Sequence, residues 1–215
     1  VWNEYDKLLT ENNATDFSTI QADAWRMMQN SDISASVREK IRYVMVDEYQ
    51  DTNHIQEQLI LAIGGKHGNI CVVGDDDQGL YRFRGATIRN IFEFPKHFGE
   101  NECRMIKLEE NYRSEKGIID LYNNWMTNPE YKRKFDWGKY RYPKQIYTSK
   151  KETYSSVYTC KGTYDEPARV KLAEMIKRMK QNGTVTDYNQ IVFLFKSVRN
   201  DEAKKTAEFL EESGI

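Results

Sequence analysis

The stretch VMVDEYQDTN, residues 44–53, decides how this sequence is read. A short apolar run, with β-branched Val44 and Val46, stops at adjacent carboxylates, Asp47 and Glu48; Gln50, Asp51 and a Thr placed to cap a helix follow. The run begins earlier. IRYVMV (41–46) is β-rich and nearly continuous in apolar character, the pattern of a strand covered on both faces. Past the acidic turn, Ile55, Leu59, Ala62 and Ile63 repeat at helical spacing, and Gly64-Gly65 ends the helix. A strand that ends on two carboxylates has two readings. Either polar residues mark where a strand leaves the core, or one carboxylate holds a metal ion while its neighbour activates a water.

Outward from this stretch, strands and helices alternate. STIQADAWRMM (18–28) places Ile20, Ala24, Met27 and Met28 on one helical face, with Asp16 or Ser18 as its cap. NICVV (69–73) reads as a second buried strand stopping at Gly74 and three aspartates, and RMIKL (104–108) as a third stopping at EENYRS. A helix is expected over 115–126 with Ile118, Tyr122 and Trp125, then strand-like pieces near 144–160. A further helix carries Leu172, Met175, Ile176 and Met179 inward, with Pro167 in its first turn. NQIVFLFK (189–196) reads as another buried strand, followed by a helix over 200–213. The pattern is α/β with a parallel sheet, whose ligands gather at the carboxyl ends of the strands. Two units are expected, joined near residue 110: 1–109 and 110–215.

Composition narrows the class. At 215 residues, with 39% hydrophobic and 30% charged residues, the chain suits a polar globular protein rather than a disordered one. No apolar run approaches the roughly 18 residues that cross a bilayer. Cys71, Cys103 and Cys160 make neither a zinc pattern nor a disulfide framework, which points to a reducing cytoplasm. His54, His67 and His97 lack metal-ligand spacing. The net charge of −1 argues against wholesale wrapping of nucleic acid but leaves room for a local basic track. A first residue Val1 in place of Met, and an end just after Gly214, suggest a piece of a longer protein.

Three strand ends carry VDEYQD (46–51), VVGDDDQGLYRFRGA (72–86) and LEENYRS (108–114). Each alone is weak: an acidic turn is usually a solvated loop, and NYRS is an ordinary helix cap. Together and in this order they resemble the second, third and fourth motifs of the UvrD/Rep family of superfamily 1 helicases. ATDFSTI (14–20) and the stretch 190–215 resemble the family as well, so the likeness covers nearly the whole chain. It implies a RecA-like (P-loop NTPase) architecture with parts of two tandem motor domains, and an ATP-dependent motor moving 3′ to 5′ on single-stranded DNA.

The family's roles transfer onto matching positions. The resemblance implies that Asp47 holds Mg²⁺ and that Glu48 orients or deprotonates the attacking water, which suits a strand-end acidic pair. It gives Gln78 the γ-phosphate, Tyr112 the adenine ring, and Arg113 the part of an arginine finger from the second motor domain. Phe83 is to stack on a DNA base, with Tyr81 and Arg84 near the strand. The bland alternatives are a buried Tyr112, an Arg113 paired with Glu109 or Glu110, a core Phe83, and arginines paired with Asp75–Asp77. Gly79 departs from the family, where many members have Ser.

The segment 131–151 holds eight basic residues, one acid and six aromatics. It reads either as a single-stranded nucleic acid groove or as a solvated loop over buried aromatics. A nucleotide motor needs the cradle G-x-x-x-x-G-K-[ST], and these 215 residues contain none. Gly65-Lys66 is followed by His67, and Ile60 stands where the first Gly belongs. This stretch alone is therefore expected not to hydrolyse ATP efficiently. Rival readings are the motor part of a helicase–nuclease, a degenerate DNA- or protein-binding module, and a metal-dependent nuclease built from Asp47, Asp51 and Asp75–Asp77.

Overall fold

A parallel pair of strands joined through a helix organises the first half of the molecule. The computed structural model describes residues 2–65, 68–99, 102–128, 130, 141–151, 156–158 and 165–215. Lys66, His67, Cys160 and positions 131–140 of the basic aromatic segment lie outside the described residues. Strand β1 (Val44–Val46) pairs with β2 (Ile70–Val72) in parallel, Val44 opposite Ile70 and Val46 opposite Val72. Two further backbone bonds carry the ladder past the strand ends: Val73 N–H to Val46 O at 2.8 Å and Tyr49 N–H to Val73 O at 2.9 Å. Parallel neighbours need a crossover, and the helix His54–Gly64 lies within it.

The helices of this half are α1 (Trp2–Glu11), α2 (Phe17–Met28), α3 (Ser31–Lys40) and α4 (His54–Gly64); α4 packs on both strands and against α2 and α3. Asp16 caps α2 by accepting the Thr19 N–H at 2.7 Å. Asn53, not Thr52, caps α4: its side chain accepts the Gln56 N–H while Gln56 accepts the Asn53 N–H, a reciprocal box. The inward face of α2 differs from the expected one. Ala24 and Met28 are half-buried with Trp25, but Ile20 and Met27 are 51% and 56% exposed.

After β2 come α5 (Arg89–Glu93), which runs into a 3₁₀ turn over Phe94–His97, and α6 (Lys116–Thr127). Among the described residues up to α6 the buried apolar ones are Tyr49, Ala86, Phe94 and Ile119, and the Tyr49 and Phe94 rings meet edge-on at 5.3 Å. The residue of α6 that sinks inward is thus Ile119, whereas Ile118 and Trp125 stay exposed.

Several strand expectations need correction. The stretch 69–73 is not buried throughout, since Cys71 and Val73 are exposed. β1 is not covered on both faces: Val44 and Val46 are half-buried, and Met45 is 82% exposed. Positions 104–108 form no strand, and Met105, Ile106 and Leu108 are exposed. The only pairing nearby among the described residues is a parallel bridge of Glu110 with Tyr147. Positions 191–196 form no strand either, following a 3₁₀ turn over Tyr188–Gln190, with Val192 and Leu194 exposed. A β-rich sequence becomes a strand only where a neighbour takes its backbone groups. Among the described residues neither segment finds one along its length.

The chain divides into two compact units, Val1–Ser156 and Val157–Ile215. This division falls later than the junction read near residue 110, because 141–150 is fastened to the first unit by the polar contacts described below. The second unit is built on α7 (Glu166–Gln181) and α8 (Asp201–Glu212), capped by Asp165 and Asn200. Ala173, Ile176 and Leu210 form its core, with Leu172, Tyr188, Ile191, Phe209 and Ile215 packed around them. Full burial of Ile176 contributes about 1.5–3 kcal/mol. Met175, expected inward, is half exposed at 50%. No helix among the described residues is long and apolar enough to cross a membrane.

Candidate active site

The sequence after β1 turns sharply at Glu48. Its φ of 51° and ψ of 42° are left-handed, a conformation that costs a residue with a Cβ about 1–2 kcal/mol. The turn survives because the next residue is pinned: Tyr49 is fully buried, its N–H bonds Val73 O, and its hydroxyl donates to Glu57 Oε1 at 3.2 Å. Burial, followed by the nearby Glu57 charge, pushes the Tyr49 hydroxyl pKa well above its ordinary value. As a result Asp47 and Glu48 stay exposed at the strand mouth while the chain dives inward. The Glu48 N–H donates to Asp47 Oδ1 at 2.9 Å, which holds the Asp47 carboxylate against the backbone of the turn.

Gln50 joins this turn to the next one. It is 1% exposed, its Nε2 donates to Glu48 Oε2, and its Oε1 accepts the Asp75 N–H at 3.0 Å. Gly74 permits the approach, because a Cβ there would lie 2.8 Å from Gln50 Oε1. Asp75 in turn accepts from Gln78 Nε2 at 2.9 Å. One hydrogen-bonded chain therefore runs Glu48–Gln50–Asp75–Gln78 across the ends of both strands. Replacing Gln50 by Ala leaves the part-buried Asp75 N–H without its acceptor and is expected to destabilise the chain by about 1–3 kcal/mol, read by urea unfolding. A change below a few tenths of a kcal/mol would show that the bridge is dispensable.

The acidic triplet is neutralised from far along the chain. Lys144 Nζ lies 2.7 Å from Asp76 Oδ1 and 3.0 Å from Asp77 Oδ2, and it also reaches Asp75; Arg141 Nε lies 2.9 Å from Asp77 Oδ1. The Tyr122 hydroxyl, from α6, also donates to Asp77. Burial and that bond to Asp77 raise the Tyr122 pKa to about 12. Burial alone would raise the Asp75 pKa, but bonds from Lys144 and Gln78 outweigh it and hold the carboxyl below its usual range. Desolvation works against the charge of Lys144, yet its bonds to the three aspartates win and raise its pKa.

These contacts decide among several of the bland alternatives. Asp75–Asp77 are paired with Arg141 and Lys144, not with Arg82 or Arg84. Arg84 instead lies over the rings of Tyr81 and Phe83, at 5.0 and 5.5 Å from their centroids. Phe83 is no core residue: it is 79% exposed, beside Tyr81 at 5.9 Å. Tyr112 is 73% exposed rather than buried, and its hydroxyl donates to Glu110 Oε2 at 2.6 Å. Arg113 makes no ion pair with Glu109 or Glu110 among the described residues. Its backbone is held instead, with its N–H on Asn111 Oδ1 and its carbonyl accepting from Lys150 Nζ, both at 2.9 Å.

Residues 1–99 match the family model of the UvrD/REP helicase N-terminal domain. The match and the relatives support a UvrD/Rep-type helicase fragment. Its relatives include the ATP-dependent DNA helicase UvrD1 of Mycobacterium tuberculosis, 33% identical over all of this chain and 27% of the relative. The probable DNA helicase II homolog of Rickettsia conorii is 34% identical over 85% of the chain and 26% of the relative. The ATP-dependent DNA helicase PcrA of Staphylococcus aureus is 31% identical over 92% of the chain and 25% of the relative. The chain thus spans about a quarter of the length of the curated relatives it matches.

Within this chain, Glu48 and Gln78 are brought together through Gln50 and Asp75. The turn carrying Tyr112 and Arg113 is tied to the same region through the 141–150 segment. Its links are the bridge of Glu110 with Tyr147, Lys107 Nζ on Pro143 O at 2.8 Å, and Asn123 Nδ2 on Ile146 O at 2.6 Å. The departure at Gly79 also has a structural setting. A Cβ there would fall 2.4 Å from Ile88 Cγ2, so a serine at this position of this chain requires Ile88 to shift. Gln50, Tyr122, Arg141 and Lys144 escaped the motif reading. The signal for the last two was present as a run of uncompensated aspartates, but their partners stand 64 to 69 residues away.

Proposed function

We propose that this chain is part of an ATP-dependent motor that moves 3′ to 5′ along single-stranded DNA, with 1–109 from the first RecA-like domain and 110–215 from the second. The observation that supports it most is the hydrogen-bonded chain from Glu48 to Gln78, which links a water-activating carboxylate to a neutral side chain able to read a phosphate. In this reading Glu48 takes the proton of the attacking water, Gln78 contacts the γ-phosphate, Tyr112 stacks on adenine, and Arg113 neutralises charge growing on the transferred group.

The acidic turn suits Mg²⁺. Asp47 is exposed, and the contact to Glu48 N–H occupies one of its oxygens, leaving the other for a cation that prefers one carboxylate plus phosphate oxygens. Bound there, the ion supplies charge neutralisation to the phosphates. The phosphate cradle that such a motor also needs is not among these residues.

The exposed Tyr81–Phe83 pair with Arg84 above it gives a platform that any base can stack on. Phe83→Ala is expected to weaken binding of an oligothymidine by about 1–3 kcal/mol without changing ATP affinity, measured by fluorescence anisotropy on the full-length protein. Unchanged DNA affinity would remove Phe83 from the track. The polarity follows from unwinding assays on duplexes carrying a single-stranded tail at either end. Unwinding only from a 5′ tail would refute the direction proposed.

A further inference from the structure

The cations on the acidic triplet do more than neutralise it. Lys144 is 13% exposed and places one ammonium on Asp75, Asp76 and Asp77 at once, donating to the first two and lying 3.0 Å from Asp77 Oδ2. The Tyr142 N–H adds a bond to Asp76 Oδ2 at 2.9 Å. Asp75 is the pivot of this cluster. Its Oδ1 receives Lys144 and the Asp77 N–H, its Oδ2 receives Gln78, and its own N–H is held by Gln50.

An exposed glutamine samples several rotamers, and only a fixed partner selects one. Asp75 is that partner for Gln78, and Asp75 is itself fixed by Lys144. We infer that Lys144 is a positioning residue for ATP hydrolysis, setting the Gln78 amide through Asp75; this rests on the nucleotide-site reading above. It also gives the 141–147 segment a role distinct from a nucleic acid groove. The segment fastens the β2 turn to the Tyr112–Arg113 turn, so that loosening one is felt at the other.

The test is a double-mutant cycle on the full-length protein: wild type, Lys144→Met, Gln78→Ala and the double variant, each assayed for DNA-stimulated ATP hydrolysis and thermal unfolding. Misplacing a catalytic group by ~1 Å costs up to about a hundredfold, and Lys144→Met is expected to lower kcat by about tenfold or more. In the Gln78→Ala background it should lower kcat by less than about twofold, because the group it positions is gone. Its effect on melting temperature should be the same in both backgrounds. A purely structural lysine would instead lower kcat by the same factor in both, and that result overturns the inference, as does wild-type kcat in Lys144→Met. Where Lys144→Met does not fold, Asp75→Asn carries the same cycle, since it weakens the tether while keeping an oxygen for Gln78. An inactive wild type would overturn the nucleotide-site reading itself, and the inference with it.

Discussion

Glu48→Gln is expected to reduce DNA-stimulated ATP hydrolysis by about 10²–10⁴-fold, the range that general-base catalysis supplies. The substitution preserves size and still offers an oxygen to Gln50 Nε2, so the left-handed turn and the buried Tyr49 behind it should survive. Binding of ATP and of single-stranded DNA should therefore persist, and only turnover should vanish. The comparison is made with steady-state hydrolysis alongside nucleotide binding. Turnover close to wild type would show that another group activates the water.

Arg113→Ala is expected to cost about 10³–10⁵ in kcat, the range measured for arginine fingers elsewhere. The turn that carries it is secured by Asn111 and Lys150 through backbone atoms, so truncating the side chain leaves the turn in place. Arg113→Lys should recover little, since a point charge lacks the planar fork that spans two phosphate oxygens. Single-turnover hydrolysis separates this loss from weaker ATP binding. A modest loss confined to KM would make Arg113 a ground-state contact only.

How much of this was legible in the sequence differs from element to element. Helices α2, α4, α6, α7 and α8 were readable, because signals such as the Asp16 cap and the Gly64-Gly65 stop act locally, whereas α1, α3 and α5 were not read. The turns that carry Asp47, Glu48, Gln78, Tyr112 and Arg113 were also readable, because each follows an apolar run within a few residues. That 104–108 and 189–196 form no strand was not. Their composition is right for strands, but pairing depends on distant neighbours that composition does not encode. The same holds for Gln50 and Lys144. Gln50 is an ordinary polar residue in a turn until its burial is known. Lys144 belongs by composition to a basic aromatic run, and only the fold shows it facing Asp75–Asp77 rather than solvent.

The alternation of exposed and paired residues also explains why the motif carries two kinds of charge. Asp47 and Glu48 remain open at a strand mouth, where a charged ligand can reach them. Asp76 and Asp77 are side chains only 5% exposed, saturated by Arg141 and Lys144. Removing one partner from such a buried group costs about 3–5 kcal/mol, far more than an exposed pair contributes. A metal-dependent nuclease built on these aspartates therefore has little carboxylate left to offer, whereas Asp47 and Glu48 keep theirs.

The most direct measurement is ATP hydrolysis by the full-length protein that contains this chain, with and without single-stranded DNA. Slow turnover alone and a strong rise on adding DNA are expected. No turnover under either condition, with DNA still bound, would contradict this and leave a binding module built on a motor's frame.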